Sequence, residues 1–363
     1  MSNSRTKVIR THEGHLLELM DENVQSVNAL KSKLTRNHDR DDSRDDNDND
    51  DGDGDGDGDG DGDSDSDSDG DGDRDGDSDN DQEHVVKKAK RQLAVQTPTG
   101  TLQVNSDDFR QYHQAKSRVR DFYREQHEKQ TMAFNLQARV NFKTKTRAKM
   151  TIWDALCKLS MLIDDSDPDT ELSQIDHALQ TAEAIRADGN PRWMQLVGLI
   201  HDLGKILYFF DSEGQWDVVG DTFPIGCKFT DQIIFQEFFK GNPDDSHPIY
   251  STELGIYERG CGLSSVMLSW GHDEYMYYIA KGQSTLNERA LAMIRYHSFY
   301  PWHREGAYRY LMNDKDFEML KEVQAFNKYD LYSKSLKRYG IKELEPYYLE
   351  LIDEFFPAKY VEF

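Results

Sequence analysis

The apolar residues of the C-terminal two-thirds of the chain recur every three or four positions, the spacing of one face of an α-helix. The segment 173–187 opens with Ser173, a residue type that often caps a helix, and stops at the turn sequence DGNP. The segment 192–210 follows Pro191 and carries an apolar stripe of Leu196, Leu199, Ile200, Leu203 and Leu207. Both segments are predicted to be amphipathic helices.

Helical patterns also dominate the rest of this region. They recur at 107–141, 150–163, 231–239, 263–280, 286–298, 316–327 and 345–355. Alternating strand patterns are nearly absent, and only 215–226 is predicted to hold a short extended piece. The predicted fold class is therefore all-α, with a single domain over residues 105–363 that is long enough for one large core.

Residues 1–104 differ sharply in composition and are predicted to form a disordered acidic arm. The segment 39–83 has 23 Asp, one Glu and three Arg, which places most of the net charge of −24 there, and it has no apolar residue. Such a segment cannot bury enough surface to offset the entropy lost on ordering. The remainder of the chain is nearly neutral, so the total charge describes the arm rather than the folded domain.

Two short motifs in the arm suggest functions that the sequence does not support further. The acidic repeat contains the first residues of a calcium-binding EF-hand loop pattern, but no register of the repeat also places a Glu at position 12. The sequence also predicts no amphipathic helices on either side of it. Loose binding of divalent cations remains open. The basic run KKAKR at 87–91 fits either a nuclear-import signal or local compensation of the acidic charge.

Composition also limits the compartment and the partners. No run of 18 or more apolar residues and no signal-peptide pattern is present, which predicts a cytoplasmic protein without membrane association. The three cysteines, Cys157, Cys227 and Cys261, are too few and too far apart for a disulfide framework or a thiolate metal site. We also expect a monomer that binds no nucleic acid.

The sequence LVGLIHDLGKIL places an imidazole, a carboxylate and an ammonium inside the apolar 192–210 segment. On a regular helix His201, Asp202 and Lys205 fall opposite the leucine stripe, as on an ordinary solvated polar face. If this face instead lay against a metal ion, Gly198 would permit the helix to approach it closely.

Other histidines and carboxylates lie on separate predicted helices. His177 lies opposite the apolar stripe of its helix, where packing does not require it. His272, Asp273 and Asp330 occur among aromatic residues, and His297 lies near apolar positions. Taken singly, His297 fits a hydrogen-bonded core residue, and Asp330 fits a helix cap or a paired carboxylate. Taken together, the set is typical of helical proteins that build metal sites from inward-facing side chains. Nitrogen and oxygen ligands suit iron, manganese or zinc, and an Asp can bridge two metals.

The order of these residues resembles the H...HD...D pattern of the HD-domain superfamily. More specific strings narrow the resemblance: LIDDSDPD, HDLGK, VVGDTFPIGC, YSTELGIY, SWGHDEYMY, HSFYPWH, FNKYDLYSK and YYLELIDEFFP. Together they resemble the myo-inositol oxygenase family of non-haem di-iron enzymes over roughly residues 107–363. This resemblance implies an HD-domain-like helical bundle and an enzyme that cleaves myo-inositol with O2 to D-glucuronate and water.

The resemblance also implies the functional residues. One iron would be bound by His177, His201, Asp202 and Asp330, and the other by Asp202, His272 and His297, as a mixed-valent Fe(II)/Fe(III) pair with Asp202 as the bridge. Lys205 would stabilise a developing oxyanion, so Lys205 and Asp202 are the implied catalytic residues. The implied substrate contacts are Arg110, Asp164, Asp167, Lys205, Gly220, Asp221, Ser298 and Lys334.

Two other functions remain open from the residues alone. An HD-type metal phosphohydrolase would use the same ligands to activate water against a phosphate ester, but would require convergent Arg and Lys side chains. A non-catalytic interaction protein would use the acidic arm and predicts a domain without stoichiometric metal.

Overall fold

The fold is described from a computed structural model, which describes residues 92–97, 100–105, 117–167, 173–332 and 339–363. The chain divides into two compact units. In the smaller unit, β1 (Gln92–Thr97) pairs antiparallel with β2 (Gly100–Asn105), with Gln92 opposite Asn105. This hairpin falls at the end of the segment predicted as the arm. The acidic repeat and the KKAKR run lie outside the described residues.

The larger unit is mostly helical, which confirms the predicted fold class. Its α-helices are α1 (Ser117–Lys129), α2 (Met132–Thr144), α3 (Ile152–Leu159), α4 (Gln174–Ala187), α5 (Arg192–Ile200), α6 (His272–Gln283), α7 (Glu288–Tyr296), α8 (Tyr300–His303), α9 (Asp314–Tyr332) and α10 (Ile341–Phe355). The main core takes buried residues from α3 to α7, among them Leu156, Leu179, Leu199, Met276 and Met293.

Short strands and 3₁₀ helices complete the unit. The strands β3 (Lys149–Met150) and β4 (Val361–Glu362) pair antiparallel. The 3₁₀ helices span Leu203–Phe209, Gln236–Gly241, Pro243–Ser246, Leu263–Ser265 and Arg309–Leu311. No helix among the described residues is both long enough and apolar enough to cross a membrane.

The helix α4 follows its sequence prediction closely. The side chain of Ser173 caps it by accepting a hydrogen bond from the backbone N–H of Asp176 at 3.3 Å. This bond satisfies one of the four N–H groups that a helix start leaves without partners. The cap fixes where the helix begins, and so where along it His177 stands.

The prediction of one continuous helix over 192–210 was wrong. The α-helix α5 ends at Ile200, and a 3₁₀ helix runs from Leu203 to Phe209. The break occurs where the chain passes α6: a Cβ atom at Gly204 would lie 2.1 Å from the carbonyl oxygen of His272. A glycine is therefore required at position 204, and the backbone there lies directly against the start of α6.

The role expected for Gly198 was also wrong. A Cβ atom at this position would lie 2.9 Å from the Cα atom of Ala182 and 2.8 Å from the side chain of Ile185, both on α4. Gly198 thus permits α4 and α5 to pack closely, rather than permitting α5 to approach a metal ion. The close packing brings His177 and His201 to the same place.

Other helix predictions were also partly wrong. The helix predicted over 107–141 is divided between α1 and α2, and α3 is shorter than the predicted 150–163. The segment 231–239 forms turns followed by the 3₁₀ helix that begins at Gln236, and within 263–280 the α-helix begins only at His272. Pro224 and Leu268 form an isolated β-bridge there, consistent with the short extended piece expected within 215–226. Long-range backbone pairing of this kind leaves no periodic signal in the sequence.

One buried carboxylate outside the histidine cluster predicts how stability depends on pH. Burial raises the pKa of Asp217 to about 6, and its Oδ1 accepts no hydrogen bond among the described residues. Because the folded state binds this proton more tightly than the unfolded state, the free energy of unfolding falls as pH rises from about 4 to about 6.

We therefore expect Asp217→Asn to stabilise the protein by about 2 kcal/mol at pH 7.5, with a gain that shrinks as pH falls towards 4. Urea denaturation at several pH values measures it. The matched control is Asp211→Asn. Burial would raise the pKa of Asp211, but Arg147 outweighs it and the pKa is lowered. This variant should therefore not gain stability. An Asp217→Asn protein no more stable than wild type at pH 7.5 contradicts the prediction.

Candidate metal centre

Six residues from five parts of the helical unit meet in one buried cluster. His177 lies on α4, the His201–Asp202 pair follows α5, His272 begins α6, His297 follows α7, and Asp330 lies near the end of α9. The side chains of all six residues are buried: His177, His201, Asp202, His272, His297 and Asp330. The structure thus brings together every residue that the sequence suggested as a metal ligand.

One side of the cluster contains His177 and His201, whose Nε2 atoms are 3.3 Å apart. Asp330 Oδ1 lies 3.1 Å from the first of these atoms and 3.4 Å from the second. Asp202 Oδ2 lies 3.5 Å and 3.6 Å from the same two atoms. We call these four side chains the first half-site.

The other side of the cluster contains His272 and His297. The Nε2 atom of each lies 3.4 Å from Oδ1 of Asp202. The two oxygens of Asp202 therefore face different pairs of imidazoles. His177, His201 and Asp202 form one group whose donor atoms could hold a metal ion, and Asp202, His272 and His297 form another. We call the latter group the second half-site.

The backbone fixes the orientation of three of the four imidazoles. The Nδ1 atom of His201 lies 2.9 Å from the carbonyl oxygen of Gly198. The Nδ1 atom of His272 lies 2.8 Å from the carbonyl oxygen of Val218, and the Nδ1 atom of His297 lies 2.9 Å from the carbonyl oxygen of Ile294. A carbonyl only accepts, so each Nδ1 carries the proton and the lone pair of each neutral ring is at Nε2. Metal-binding histidines commonly have this arrangement.

The charges of the cluster also fit cations. Burial alone would raise the pKa of Asp202, but Lys205 and the imidazoles hold it well below its usual range. The pKa of Asp330 is likewise held well below its usual range, because His177 and His201 outweigh the effect of burial. Burial likewise opposes the ionisation of Asp164 and Asp273, yet their pKa values are lowered. Of these four buried carboxylates, Asp164 and Asp202 contact the ammonium of Lys205, and the other two lie against imidazoles.

Two buried atoms of the cluster also support metal binding. His297 Nε2 and Asp273 Oδ1 have no hydrogen-bond partner within the described parts of the chain. Buried charged and polar groups normally have partners or bind a metal. Imidazole nitrogens and carboxylate oxygens without thiolates suit iron, manganese or zinc, so the residues present fit a two-metal centre.

Lys205 joins the metal cluster to a second carboxylate. Its Nζ atom lies 2.9 Å from Asp202 Oδ2 and 2.8 Å from Asp164 Oδ2, and it donates to Oε1 of Gln174 at 3.2 Å. Burial alone would lower the pKa of Lys205, but the two carboxylates raise it. The side chain is therefore a fixed positive charge beside the cluster.

Two other predicted substrate contacts, Asp164 and Ser298, are held by neighbouring residues of the site. Asp164 is held by Ser166, whose N–H and hydroxyl both donate to its Oδ1. Ser298 Oγ lies 3.2 Å from His272 Nε2, and its carbonyl accepts from the N–H of Thr222 at 3.0 Å. This last bond ties the segment that holds Gly220 and Asp221 to Ser298.

The remaining predicted contacts are Asp221, Gly220, Asp167, Arg110 and Lys334. Asp221 is buried and accepts from the hydroxyl of Tyr123 at 3.1 Å, and Gly220 has a φ of +91° that favours glycine. Asp167 is half-buried at the edge of the described segment. Arg110 and Lys334 lie outside the described residues, so their contacts stay predictions.

A network of buried ion pairs supports the second half-site. Glu274, two residues after His272, accepts from Arg139 of α2 at 2.8 Å and from Arg295 of α7. Arg139 also donates to the backbone carbonyl oxygen of Leu268, and Arg295 donates to that of Val266. The network fixes the start of α6 against the end of α7, where His272 and His297 lie.

Sequence reasoning missed several residues of the site. Gln174 and Ser166 contact Lys205 and Asp164, but an isolated Gln or Ser gives no signal in a single sequence. Asp273 was noticed beside His272, but its contacts with His272 and His297 were not predicted. A signal was present: His272–Asp273 repeats the His201–Asp202 dipeptide.

Comparisons with known proteins agree with this geometry. The family model described as "Myo-inositol oxygenase" matches residues 116–363. The chain is 49% identical over 258 residues to "Probable inositol oxygenase" of Oryza sativa subsp. japonica, covering 69% of this chain and 84% of the relative. It is 46% identical over 258 residues to "Inositol oxygenase" of Dictyostelium discoideum, covering 69% and 88%. It is 47% identical over 244 residues to "Inositol oxygenase" of Rattus norvegicus, covering 66% and 85%. The chain belongs to the myo-inositol oxygenase family.

Proposed function

We propose that this chain is an inositol oxygenase, an O2-dependent oxidoreductase that opens the ring of myo-inositol to give D-glucuronate and water. One carbon–carbon bond breaks, one oxygen atom enters the product and the other leaves as water, so O2 takes up four electrons from the substrate. The observation that carries the proposal is the buried cluster of four imidazoles around Asp202 in a chain of this family.

The six clustered residues would hold two iron ions, with Asp202 shared between the half-sites. A mixed-valent Fe(II)/Fe(III) pair would supply Lewis acidity and the one-electron steps that O2 chemistry needs. The protein orients the Nε2 lone pairs through the Nδ1–carbonyl hydrogen bonds. It also keeps the donors buried, which limits the access of water to reactive species.

The polar side chains beside the cluster suit a neutral polyol. Carboxylates such as Asp164 and Asp221 accept hydrogen bonds from hydroxyl groups, and Ser298 can donate or accept. The Nζ atom of Lys205 provides a positive charge next to Asp202, where it would stabilise a substrate hydroxyl that loses its proton. Arg110, Asp167 and Lys334 are proposed to complete the contacts, as the family resemblance implies.

The phosphohydrolase alternative fits the described site less well. A phosphate dianion prefers convergent Arg and Lys side chains. In the described part of the site, Lys205 is already neutralised by Asp164 and Asp202. A surplus of buried carboxylates would repel a phosphate unless the metals offset all of it, whereas it would accept hydrogen bonds from inositol.

The proposal also covers the compartment and the oligomeric state of the enzyme. A cytoplasmic location is proposed, as the sequence predicts it. A monomeric state is the simplest arrangement, because the candidate ligands all come from one chain. Size-exclusion chromatography with light scattering of the full chain tests the second point, and a stable dimer would contradict it.

The function is tested by iron analysis combined with an oxygen electrode. We expect about two iron ions per chain, oxygen uptake that depends on myo-inositol, and D-glucuronate formed in equal amount to the oxygen consumed. A phosphate monoester serves as the control substrate. Hydrolysis of that ester without inositol-dependent oxygen uptake would favour the phosphohydrolase, and absence of bound metal would refute both enzymes.

A further inference from the structure

One face of α1 lies against the turn that holds Gly220 and Asp221. Phe122, Tyr123 and Gln126 share this face, because residues three or four positions apart are neighbours on a helix surface. A Cβ atom at Gly220 would lie 2.7 Å from the ring of Phe122 and 2.8 Å from Nε2 of Gln126. The hydroxyl of Tyr123 donates to Oδ1 of Asp221 at 3.1 Å. All three side chains of α1 thus contact one short turn.

Gln126 holds the backbone of this turn on both sides of Gly220. Its Nε2 atom donates to the carbonyl oxygen of Val219 at 3.0 Å and to that of Asp221 at 3.3 Å. Carbonyl oxygens only accept hydrogen bonds, so the amide nitrogen of Gln126, and not the amide oxygen, must face the turn. One side chain therefore fixes two peptide groups of the turn.

Contact with the turn accounts for a glutamine at this buried position. Gln126 is 3% exposed, and its Oε1 atom accepts no hydrogen bond within the described parts of the chain. Burial of a polar side chain is costly unless the side chain is hydrogen-bonded. Since the bonds of its amide group in the described structure go to Val219 and Asp221, these two bonds are what offsets that cost.

The residues on either side of the turn are tied to the second half-site. The carbonyl oxygen of Val218 accepts from the N–H of His272 at 2.7 Å and lies 2.8 Å from its Nδ1 atom. At the other end, the N–H of Thr222 donates to the carbonyl oxygen of Ser298 at 3.0 Å. The turn is therefore held between α1 and the residues of the second half-site.

We propose that Gln126 is a positioning residue for the substrate, which holds the carbonyl groups of the turn and so places Gly220 and Asp221 where they bind inositol. This inference rests on the proposed function, in which both residues contact the substrate. Gly220 is only partly buried, so α1 does not cover every side of the turn. Gln126 acts through the turn and not on the reacting atoms, so its loss should weaken inositol binding and leave the chemical step nearly unchanged.

The test is the variant Gln126→Met, because methionine keeps the length and the helix preference of glutamine but has no N–H donor. Iron-loaded full-length protein is titrated with myo-inositol by calorimetry in the absence of oxygen, and KM and kcat are then measured with an oxygen electrode. We expect the Kd and the KM for inositol to rise by about 10-fold, as for the loss of one well-placed hydrogen bond, while kcat changes by less than about 2-fold.

The matched control is Gln195→Met. Gln195 is also a buried glutamine on a helix, with 6% of its surface exposed, and its Nε2 atom donates to the carbonyl oxygen of Asn190 at 2.8 Å. This bond lies at the start of α5 and not at the turn. Gln195→Met should therefore lose stability in urea denaturation but keep the Kd and the KM of wild type.

A second variant, Gln126→Asn, tests the inference even if Gln126→Met does not fold. It keeps an amide group, but its side chain is one methylene shorter and cannot reach both carbonyl oxygens of the turn. Its Kd for inositol should also rise, again with little change in kcat. Wild-type affinity in a folded Gln126→Asn protein would contradict the inference.

The outcomes separate this inference from the function on which it rests. If wild type binds no inositol, the proposed function fails and this inference fails with it. If wild type binds inositol and Gln126→Met binds it equally well, only the inference is wrong. Equal weakening by Gln195→Met would also refute it, because a general loss of stability would then be the cause. A fall in kcat at constant KM would place Gln126 in the chemical step, which likewise contradicts the inference.

Discussion

Replacing Asp202 by Ala is expected to remove both metal ions and to lower inositol-dependent oxygen uptake by at least about 100-fold. The two oxygens of Asp202 face different imidazole pairs, at 3.5 Å and 3.6 Å on one side and 3.4 Å on the other. Loss of an outer partner of a metal ligand already costs about 10- to 100-fold in affinity or activity. Loss of a shared ligand should cost more, and metal analysis with an oxygen electrode measures both effects.

The matched variant for this prediction is Asp330→Ala. Asp330 lies against the two imidazoles of the first half-site, so its removal should weaken the binding of one metal ion and leave the other in place. Asp202→Ala is expected to stay folded without metal, because Lys205 keeps its contact with Asp164. Two bound ions and normal oxygen uptake in Asp202→Ala would show that the bridging assignment is wrong.

Local periodicity located most of the helices near the site, but not all of their ends. The apolar repeat and the cap at Ser173 predicted α4, and the ligands on it and on its neighbours followed from the family resemblance. The break after Ile200 could not be predicted, because it depends on α6, some 70 residues later in the chain. The carbonyl oxygen of His272 occupies the space beside Gly204, and only a tertiary contact reveals it.

The geometry around each ligand was equally invisible in the sequence. A repeating pattern shows that a histidine is near a core, but not that its Nδ1 meets the carbonyl oxygen of Gly198 or Val218. The same holds for Asp273, which was seen only as one more acidic residue near His272. Its meaning comes from Ser298 and Thr222, which hold one of its oxygens and so turn the other towards the centre.

The second large effect is expected for Lys205→Met, which should lower the free energy of unfolding of the metal-free protein by about 3–5 kcal/mol. The variant leaves Asp164 and Asp202 buried without their shared ammonium. Burial opposes the charge on all three groups, but their mutual attraction raises the pKa of Lys205 and lowers those of Asp164 and Asp202.

These shifts set the pH range in which the loss should appear. A carboxylate with a lowered pKa contributes stability above its unfolded value and loses it as pH falls through the folded value. The ammonium with a raised pKa contributes below its unfolded value, near 10.5. The ion pair is therefore fully formed at neutral pH, and urea denaturation near pH 7.5 should show the full difference between wild type and Lys205→Met.

A double variant separates the structural role of Lys205 from its role towards substrate. Lys205→Met with Asp164→Asn removes one of the two uncompensated charges and should regain part of the lost stability. Oxygen uptake should not recover, because no ammonium remains to stabilise a deprotonated substrate hydroxyl beside Asp202. If the double variant regained activity together with stability, Lys205 would act only by compensating charge. That result would contradict the proposed direct contact between Lys205 and inositol.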